Sequence, residues 1–170
     1  TVPVMLLRDY DAKPYDDVAK RQSDPSTPHG RGNARGPGNQ AKMFVTQPRR
    51  IAARSLCDRV RQTCGENKLV GLRLGHGEKS ETDDSRLWFV TTGYLTLRLA
   101  HHESSLLDHT HLIIDEVHER SIDTDILCLL ARKLLATHPT IRLVLMSATV
   151  AADSYRSYFG VPEQPLFAGA

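Results

Sequence analysis

The chain has 170 residues, 40% hydrophobic and 25% charged, which is the make-up of one globular unit with a substantial core and excludes two full domains. With 22 Lys and Arg against 20 Asp and Glu the net charge is +2, so bulk charge does not mark a nucleic-acid binder. No apolar run approaches the ~20 residues of a membrane span, and no secretory leader opens the chain at Thr1-Val2-Pro3. An intracellular setting, nuclear or cytoplasmic and away from membranes, is expected. Cys57, Cys64 and Cys128 are odd in number and lack C-x-x-C spacing, so they read as free or buried thiols in a reducing compartment. A start at Thr1 without Met suggests a chain that begins inside a longer one.

Residues 1–8 are apolar. Half of residues 21–42 are Gly, Pro, Ser or Asn, and Ala34 and Ala41 are the only apolar side chains there. Such a stretch cannot offset its ordering entropy by burial, so a flexible Gly/Pro-rich insertion is expected. Its Arg31 and Arg35 read as a solvated basic loop, with contact to RNA as the alternative.

Alternation begins at Met43-Phe44-Val45, a short strand. Ala52, Leu56, Val60 and Cys64 recur at i, i+4 and predict a helix over 49–64 that Gly65 can close. Residues 69–74 and 87–90 read as strands, and 94–100 as a short helix. Leu112-Ile113-Ile114 is a fully apolar strand, 122–135 a helix with Ile126, Leu129, Leu130 and Lys133 on a repeating face, 143–146 a second fully apolar strand and 151–159 a final helix. Strands alternating with helices, two of them apolar on both faces, indicate an α/β fold with a mainly parallel sheet under helices. Trp88 is expected in the sheet core, and Tyr155 and Tyr158 as packing residues. His101, His102, His109 and His111 lack Cys or carboxylate partners at ligand spacing and are expected to be solvated.

In open parallel sheets ligands bind at the carboxyl ends of the strands. Those ends read Thr46-Gln47-Pro48-Arg49-Arg50, Thr91-Thr92-Gly93, Asp115-Glu116-Val117-His118-Glu119-Arg120 and Ser147-Ala148-Thr149. One polar strand end means little, whereas four together suggest a site. An apolar strand delivering two adjacent carboxylates matches the arrangement in which nucleotide hydrolases hold Mg²⁺ and orient water. Asp and Glu that merely end a strand and open a helix are the alternative.

The run D-E-V-H-E-R-S-I-D-T-D at Asp115–Asp125 resembles the second motif of the DEAH-box RNA helicases of superfamily 2, with Val in the third place. T-Q-P-R-R-I-A-A at 46–53, T-T-G at 91–93 and S-A-T at 147–149 resemble the family's other motifs in their order, and Tyr158-Phe159-Gly160 fits its pattern after the last. The resemblance covers about residues 43–160. It implies a RecA-like three-layer αβα lobe, ATP and Mg²⁺ as cofactors, and single-stranded RNA held by its backbone. Asp115 and Glu116 would bind the nucleotide and Mg²⁺, Asp115 largely via water, with Glu116 also the general base and His118 linking the site to a second lobe. Arg49, Arg50, Thr92 and Gly93 would contact RNA phosphates. Ser147, Ala148 and Thr149 would couple hydrolysis to strand separation. A second RecA-like lobe and accessory protein activators are the further partners implied.

The phosphate loop G-x-x-x-x-G-K-[ST] does not occur in these residues. Thr1-Val2-Pro3-Val4-Met5-Leu6-Leu7 looks like the family's continuation after that loop, so a partial ATP-binding lobe, 1–170, cut just after the lysine is expected, the fragment alone being inactive. Two rivals stand beside this reading. One is a non-catalytic RNA-binding or scaffold protein with a degenerate helicase fold, and the other a DNA-directed helicase of the same superfamily.

The composition of 21–42 yields a test. Limited proteolysis should cut first within it and leave a resistant core that begins near Met43. First cleavage elsewhere would contradict the argument from composition.

Overall fold

In the computed structural model of the chain, residues 2–12, 40–65, 67–102, 106–149 and 152–160 are described. The insertion expected at 21–42 lies outside them up to residue 39. Its last residues are part of the fold: Ala41 is fully buried, and the Lys42 amide donates to Thr110 Oγ1 at 3.1 Å. Ala41, one of the two apolar side chains of that stretch, thus belongs to the fold and not to a loop with almost nothing to bury.

Helix α1 (Val2–Ala12) precedes β1 (Met43–Gln47), α2 (Arg50–Cys64), β2 (Val70–Leu74), β3 (Glu78–Ser80), β4 (Leu87–Thr91) and α3 (Thr92–His101). Then come β5 (His111–Ile114), a 3₁₀ turn (Val117–Glu119), α4 (Ile122–Thr137), β6 (Arg142–Leu145) and α5 (Ala152–Phe159). The strands form one sheet in the order β3-β2-β4-β1-β5-β6, parallel except for β3, which runs antiparallel to β2.

Alternation along the strands divides the core in two, because successive side chains point to opposite faces. Met43, Val45, Leu87, Phe89 and Ile113 pack with Val4 and Leu7 of α1 and with Ala53, Cys57 and Val60 of α2. Phe44, Trp88, Val90, Leu112 and Ile114 pack with Leu95 and Leu99 of α3 and with Leu127, Ala131 and Leu134 of α4. Helices on both faces of the sheet give the three expected layers. Each fully buried Leu, Ile or Phe contributes about 1.5–3 kcal/mol by transfer from water.

The helices obey local rules. Gly65 closes α2 in the left-handed region at φ 65°, where glycine carries no Cβ penalty. Ser121 caps α4 by accepting from the Thr124 amide at 3.2 Å, with Asp123 and Asp125 in the favourable first turn. Cys57 and Cys128 are free and buried, and burial pushes each thiol up to about 11. Among the described residues no helix is long and apolar enough to cross a membrane.

Strand β3 was not expected, being too short and polar to show a period. Three expectations need correction. Helix α4 turns Leu127, Cys128, Ala131 and Leu134 inward, whereas Ile126 and Leu129 of the expected face are exposed. The strand expected at 143–146 runs over Arg142–Leu145, and as an edge strand it is only half-buried. His109 and His111 are not solvated, although His101 and His102 are exposed. His111 is buried at the head of β5, with Nδ1 2.8 Å from Thr110 Oγ1.

His109 stacks on Phe44 with ring centroids 4.3 Å apart and lies 5.3 Å from Trp88. That aromatic cluster is held from outside, since Trp88 Nε1 and Arg73 Nε donate to the same Glu81 oxygen at 2.8 and 2.6 Å. Burial would raise the Glu81 carboxyl, but the bonds from Arg73 and Trp88 outweigh it and hold the group below its usual value. The indole lies so close to Gly71 that a Cβ there would overlap it.

Both ring nitrogens of His109 are buried without a hydrogen-bond partner. Burial first, then the positive charges of Lys42, Arg73 and Arg98, push its pKa down to about 3. The folded chain thus refuses a proton that the unfolded chain accepts near the ordinary value of 6.5. Stability should be flat above that pH and fall as pH drops through it, by roughly 1–2 kcal/mol between pH 7 and pH 5. His109→Phe should therefore stabilise the chain more at pH 5 than at pH 7.5 in thermal unfolding. An equal effect at the two pH values would contradict the assignment.

Candidate functional site

Because β1, β4, β5 and β6 run parallel, their carboxyl ends share one edge of the sheet. Thr46 pairs in register with Ile114, and Ile114 with Leu145, so Gln47, Asp115 and Met146 leave the sheet side by side. The edge thus brings together the sequence-derived residues of three motifs.

Strand β5 is buried along its whole length and delivers Asp115 half-buried at its end. Gln47, only 2% exposed, donates from Nε2 to Asp115 Oδ2 at 2.5 Å, and the Glu116 amide donates to Asp115 Oδ1 at 2.8 Å. Both carboxylate oxygens are therefore oriented from the protein side. Gln47 was visible in sequence only as a member of a motif. Its partner lies 68 residues away, and no local signal announces the bond.

The chain then turns through an unusual conformation. Glu116 (φ 55°) and Arg120 (φ 49°) are both left-handed, and they flank the 3₁₀ turn Val117–Glu119. Non-glycine residues in this region are uncommon and cluster at functional sites. The turn is tied to the neighbouring strand end, since the Val117 amide donates to the Met146 carbonyl at 3.1 Å. Glu116 is 40% exposed at its side chain and faces outward, whereas Val117 is fully buried in the core.

His118 Nδ1 sits between two neighbours, 3.3 Å from Glu116 Oε2 and 3.3 Å from the Ala148 amide. It cannot serve both in one state: unprotonated it accepts from Ala148, and protonated it donates to Glu116. Ser147, Ala148 and Thr149 are exposed, with the Thr149 amide donating to Ser147 Oγ at 3.2 Å. The carboxylates, His118 and the Ser-Ala-Thr turn thus form one contiguous group.

Arg49 and Arg50 open α2 nearby, and each has an acidic partner. Arg49 pairs with Glu119 at 3.3 Å, while Arg50 pairs with Glu78 of β3 at 2.6 Å, a carboxylate that Arg54 also holds. All three arginines remain about half or more exposed, so these pairs are weak and open to exchange. Thr92 is buried, and its hydroxyl is without a hydrogen-bond partner. At Gly93 a Cβ would stand 2.9 Å from the Asp123 carboxylate. Neither α2 nor α3 has a side chain capping its N-terminus, which leaves first-turn amides pointing toward this edge.

The donor set suits a divalent cation with a hydration shell. Asp115 offers carboxylate oxygens already engaged on one side by Gln47 and a backbone amide, and Glu116 adds a second carboxylate. Among the described residues no three His, Cys, Asp or Glu side chains converge into a cage of their own. A hydrated Mg²⁺ shared with a phosphate ligand fits such a sparse set.

No family model matches the chain. It is 43% identical over 122 residues to the probable ATP-dependent RNA helicase spindle-E of Anopheles gambiae, covering 71% of this chain and 8% of that protein. It is 40% identical over 126 residues to the DExH-box ATP-dependent RNA helicase DExH1 of Arabidopsis thaliana (72% and 12%). The ATP-dependent RNA helicase TDRD9 of Homo sapiens is 43% identical over 127 residues (72% and 9%). Among solved structures, the DEAH/RHA helicase HrpB of Escherichia coli superposes with a TM-score of 0.64 at 30% identity, covering 74% of this chain and 16% of that one. The chain spans about a tenth of the length of the curated relatives it matches.

The Gln47–Asp115 bond predicts a stability effect that needs no ligand. Gln47→Leu leaves Asp115 Oδ2 without its donor and should lower stability by about 1–3 kcal/mol. Chemical denaturation of the chain at pH 7 measures it. An unchanged midpoint would mean that water replaces Gln47 at no cost.

Proposed function

We propose that this chain, a homologue of the DExH/DEAH-box ATP-dependent RNA helicases over about 72% of its length, forms most of the first RecA-like lobe of an ATP-driven RNA helicase. The observation that carries the reading is the shared edge of parallel strand ends. It gathers Asp115, Glu116, His118 and Ser147–Thr149 beside two uncapped helix N-termini with Arg49 and Arg50.

Each residue has a task that its surroundings support. Asp115 would hold Mg²⁺ through water, since both its oxygens are already oriented by Gln47 and the Glu116 amide. Bound there, Mg²⁺ would neutralise charge on the β- and γ-phosphate oxygens. Glu116, adjacent and exposed, would take a proton from the attacking water. His118, in contact with both Glu116 and Ala148, would report the state of the nucleotide site to Ser147–Thr149 and to a second RecA-like lobe.

RNA would lie along the N-termini of α2 and α3. Its phosphates would draw Arg49 from Glu119 and Arg50 from Glu78, and accept from first-turn amides. At Thr92 and Gly93 the contact is by backbone, because the Thr92 hydroxyl is buried and Asp123 leaves no room for a side chain at Gly93. Single-stranded RNA held without regard to sequence, accessory protein activators and an intracellular setting belong to the same reading.

Three measurements test it. The 170 residues alone should not turn over ATP, because they contain no G-x-x-x-x-G-K-[ST] loop to fix the phosphates in line. In the parent protein, ATP hydrolysis should depend on Mg²⁺ and rise with RNA, and Glu116→Gln should abolish turnover while ATP still binds. Turnover that survives Glu116→Gln would remove the assignment of the base. Arg49→Ala with Arg50→Ala should weaken binding of single-stranded RNA equally for unrelated sequences, and should reduce the salt slope by about 0.7 per lost contact. Unaltered affinity would move the RNA path elsewhere on the lobe.

A further inference from the structure

Val117 opens the 3₁₀ segment of the left-handed, 3₁₀, left-handed turn that carries Glu116 and His118, and its amide and carbonyl are both held from outside the turn. Its amide donates to the Met146 carbonyl at 3.1 Å, and its carbonyl accepts from the Tyr155 hydroxyl at 2.9 Å. Within the turn the same carbonyl meets only the Arg120 amide, at a long 3.4 Å. The Tyr155 bond is the shorter and spans 38 residues, from α5 back to the end of β5.

From this geometry we infer that Tyr155 is a positioning residue, whose hydroxyl fixes the turn bearing Glu116 and His118 and so sets the aim of the proposed general base. Two residues at positive φ give the turn a conformational cost, and such a conformation persists only where surrounding contacts over-determine it. The long Arg120 bond is a weak internal tie. The phenol supplies the missing constraint from outside, on the peptide plane between Val117 and His118, while the Met146 carbonyl holds the plane between Glu116 and Val117.

The surroundings suit that role. Tyr155 lines a cavity of about 420 Å³ together with His118, Arg120, Cys128, Thr149 and Tyr158, so it faces the same space as His118 and Thr149. Arg120, at the far end of the turn, makes an exposed two-point pair with Asp125 of α4 at 2.9 and 3.1 Å, a weak tie. Burial raises the phenol pKa above its ordinary value, so the hydroxyl keeps its proton and keeps donating through the neutral range.

The inference about catalysis rests on the functional reading above, but the hydrogen bond itself can be tested without it. The variant is Tyr155→Phe, which removes one oxygen and keeps the ring in its packing. On the 170-residue chain, hydrogen exchange should show the Val117, Glu119 and Arg120 amides opening at least threefold faster, with the α4 amides of Leu127 to Leu134 unchanged. Exchange unchanged at the turn overturns the proposal. In the parent protein the same variant should lower kcat for RNA-stimulated ATP hydrolysis about three- to tenfold, with KM for ATP and the melting temperature held. Loss of melting temperature with unchanged kcat assigns Tyr155 to packing alone and also overturns it. A parent protein without ATPase activity, or one indifferent to Glu116→Gln, overturns the functional reading and leaves the exchange result to decide the bond.

Discussion

The site depends on four buried residues, His111–Ile114, at the second position from one side of the sheet. Buried on both faces and paired on both edges, β5 has no freedom to slide, because a one-residue slip would turn every side chain to the wrong layer. Its end therefore fixes where Asp115 begins. The chain reverses at once through two left-handed residues, and Val117 goes back into the core while Glu116 and His118 remain outside. Rigidity of the strand and strain in the turn together hold two carboxylates at a defined place without a dedicated cage of ligands.

Around that point the molecule trades stability for placement. Thr46 and Thr92 keep hydroxyls buried without partners, both at carboxyl ends of strands on the same edge. Arginines at the start of α2 are balanced by Glu119 and Glu78 rather than left bare. Such exposed pairs are worth little, so an arriving phosphate can displace them at small cost. Glu119 belongs to the same short turn as Glu116, so the Arg49 pair is made at the residue next to His118.

Much of this was legible in sequence, for a physical reason. Fully apolar runs such as Leu112–Ile114 are dictated by burial, and burial is what the linear pattern records. The stripe in α2 was legible but one position off, since Ala53, Cys57 and Val60 face the core while Ala52 and Leu56 are half-buried. The strand ends followed, because polar residues after an apolar strand have to lie on the sheet edge. Bonds made across long separations left no mark. Gln47 to Asp115, Arg49 to Glu119 and Tyr155 to Val117 join residues 68, 70 and 38 positions apart. His109 misled for the same reason: a histidine in a polar loop reads as solvated, and the stack on Phe44 exists only after β1 and β5 pair. Strand β3 was silent because a three-residue polar edge strand buries too little to show a period.

The central claim is that the end of β5 delivers Asp115 and Glu116 as the cation-holding and proton-accepting carboxylates of an ATP site. The most direct measurement is a crystal structure of the parent protein with ADP, Mg²⁺ and a tetrafluoroaluminate mimic of the transferring phosphoryl group. The account predicts a hydrated Mg²⁺ whose waters bond to Asp115, and an in-line water within hydrogen-bond distance of a Glu116 carboxylate oxygen. Mg²⁺ and the in-line water held by other residues, with Glu116 turned away from the phosphate, would contradict it.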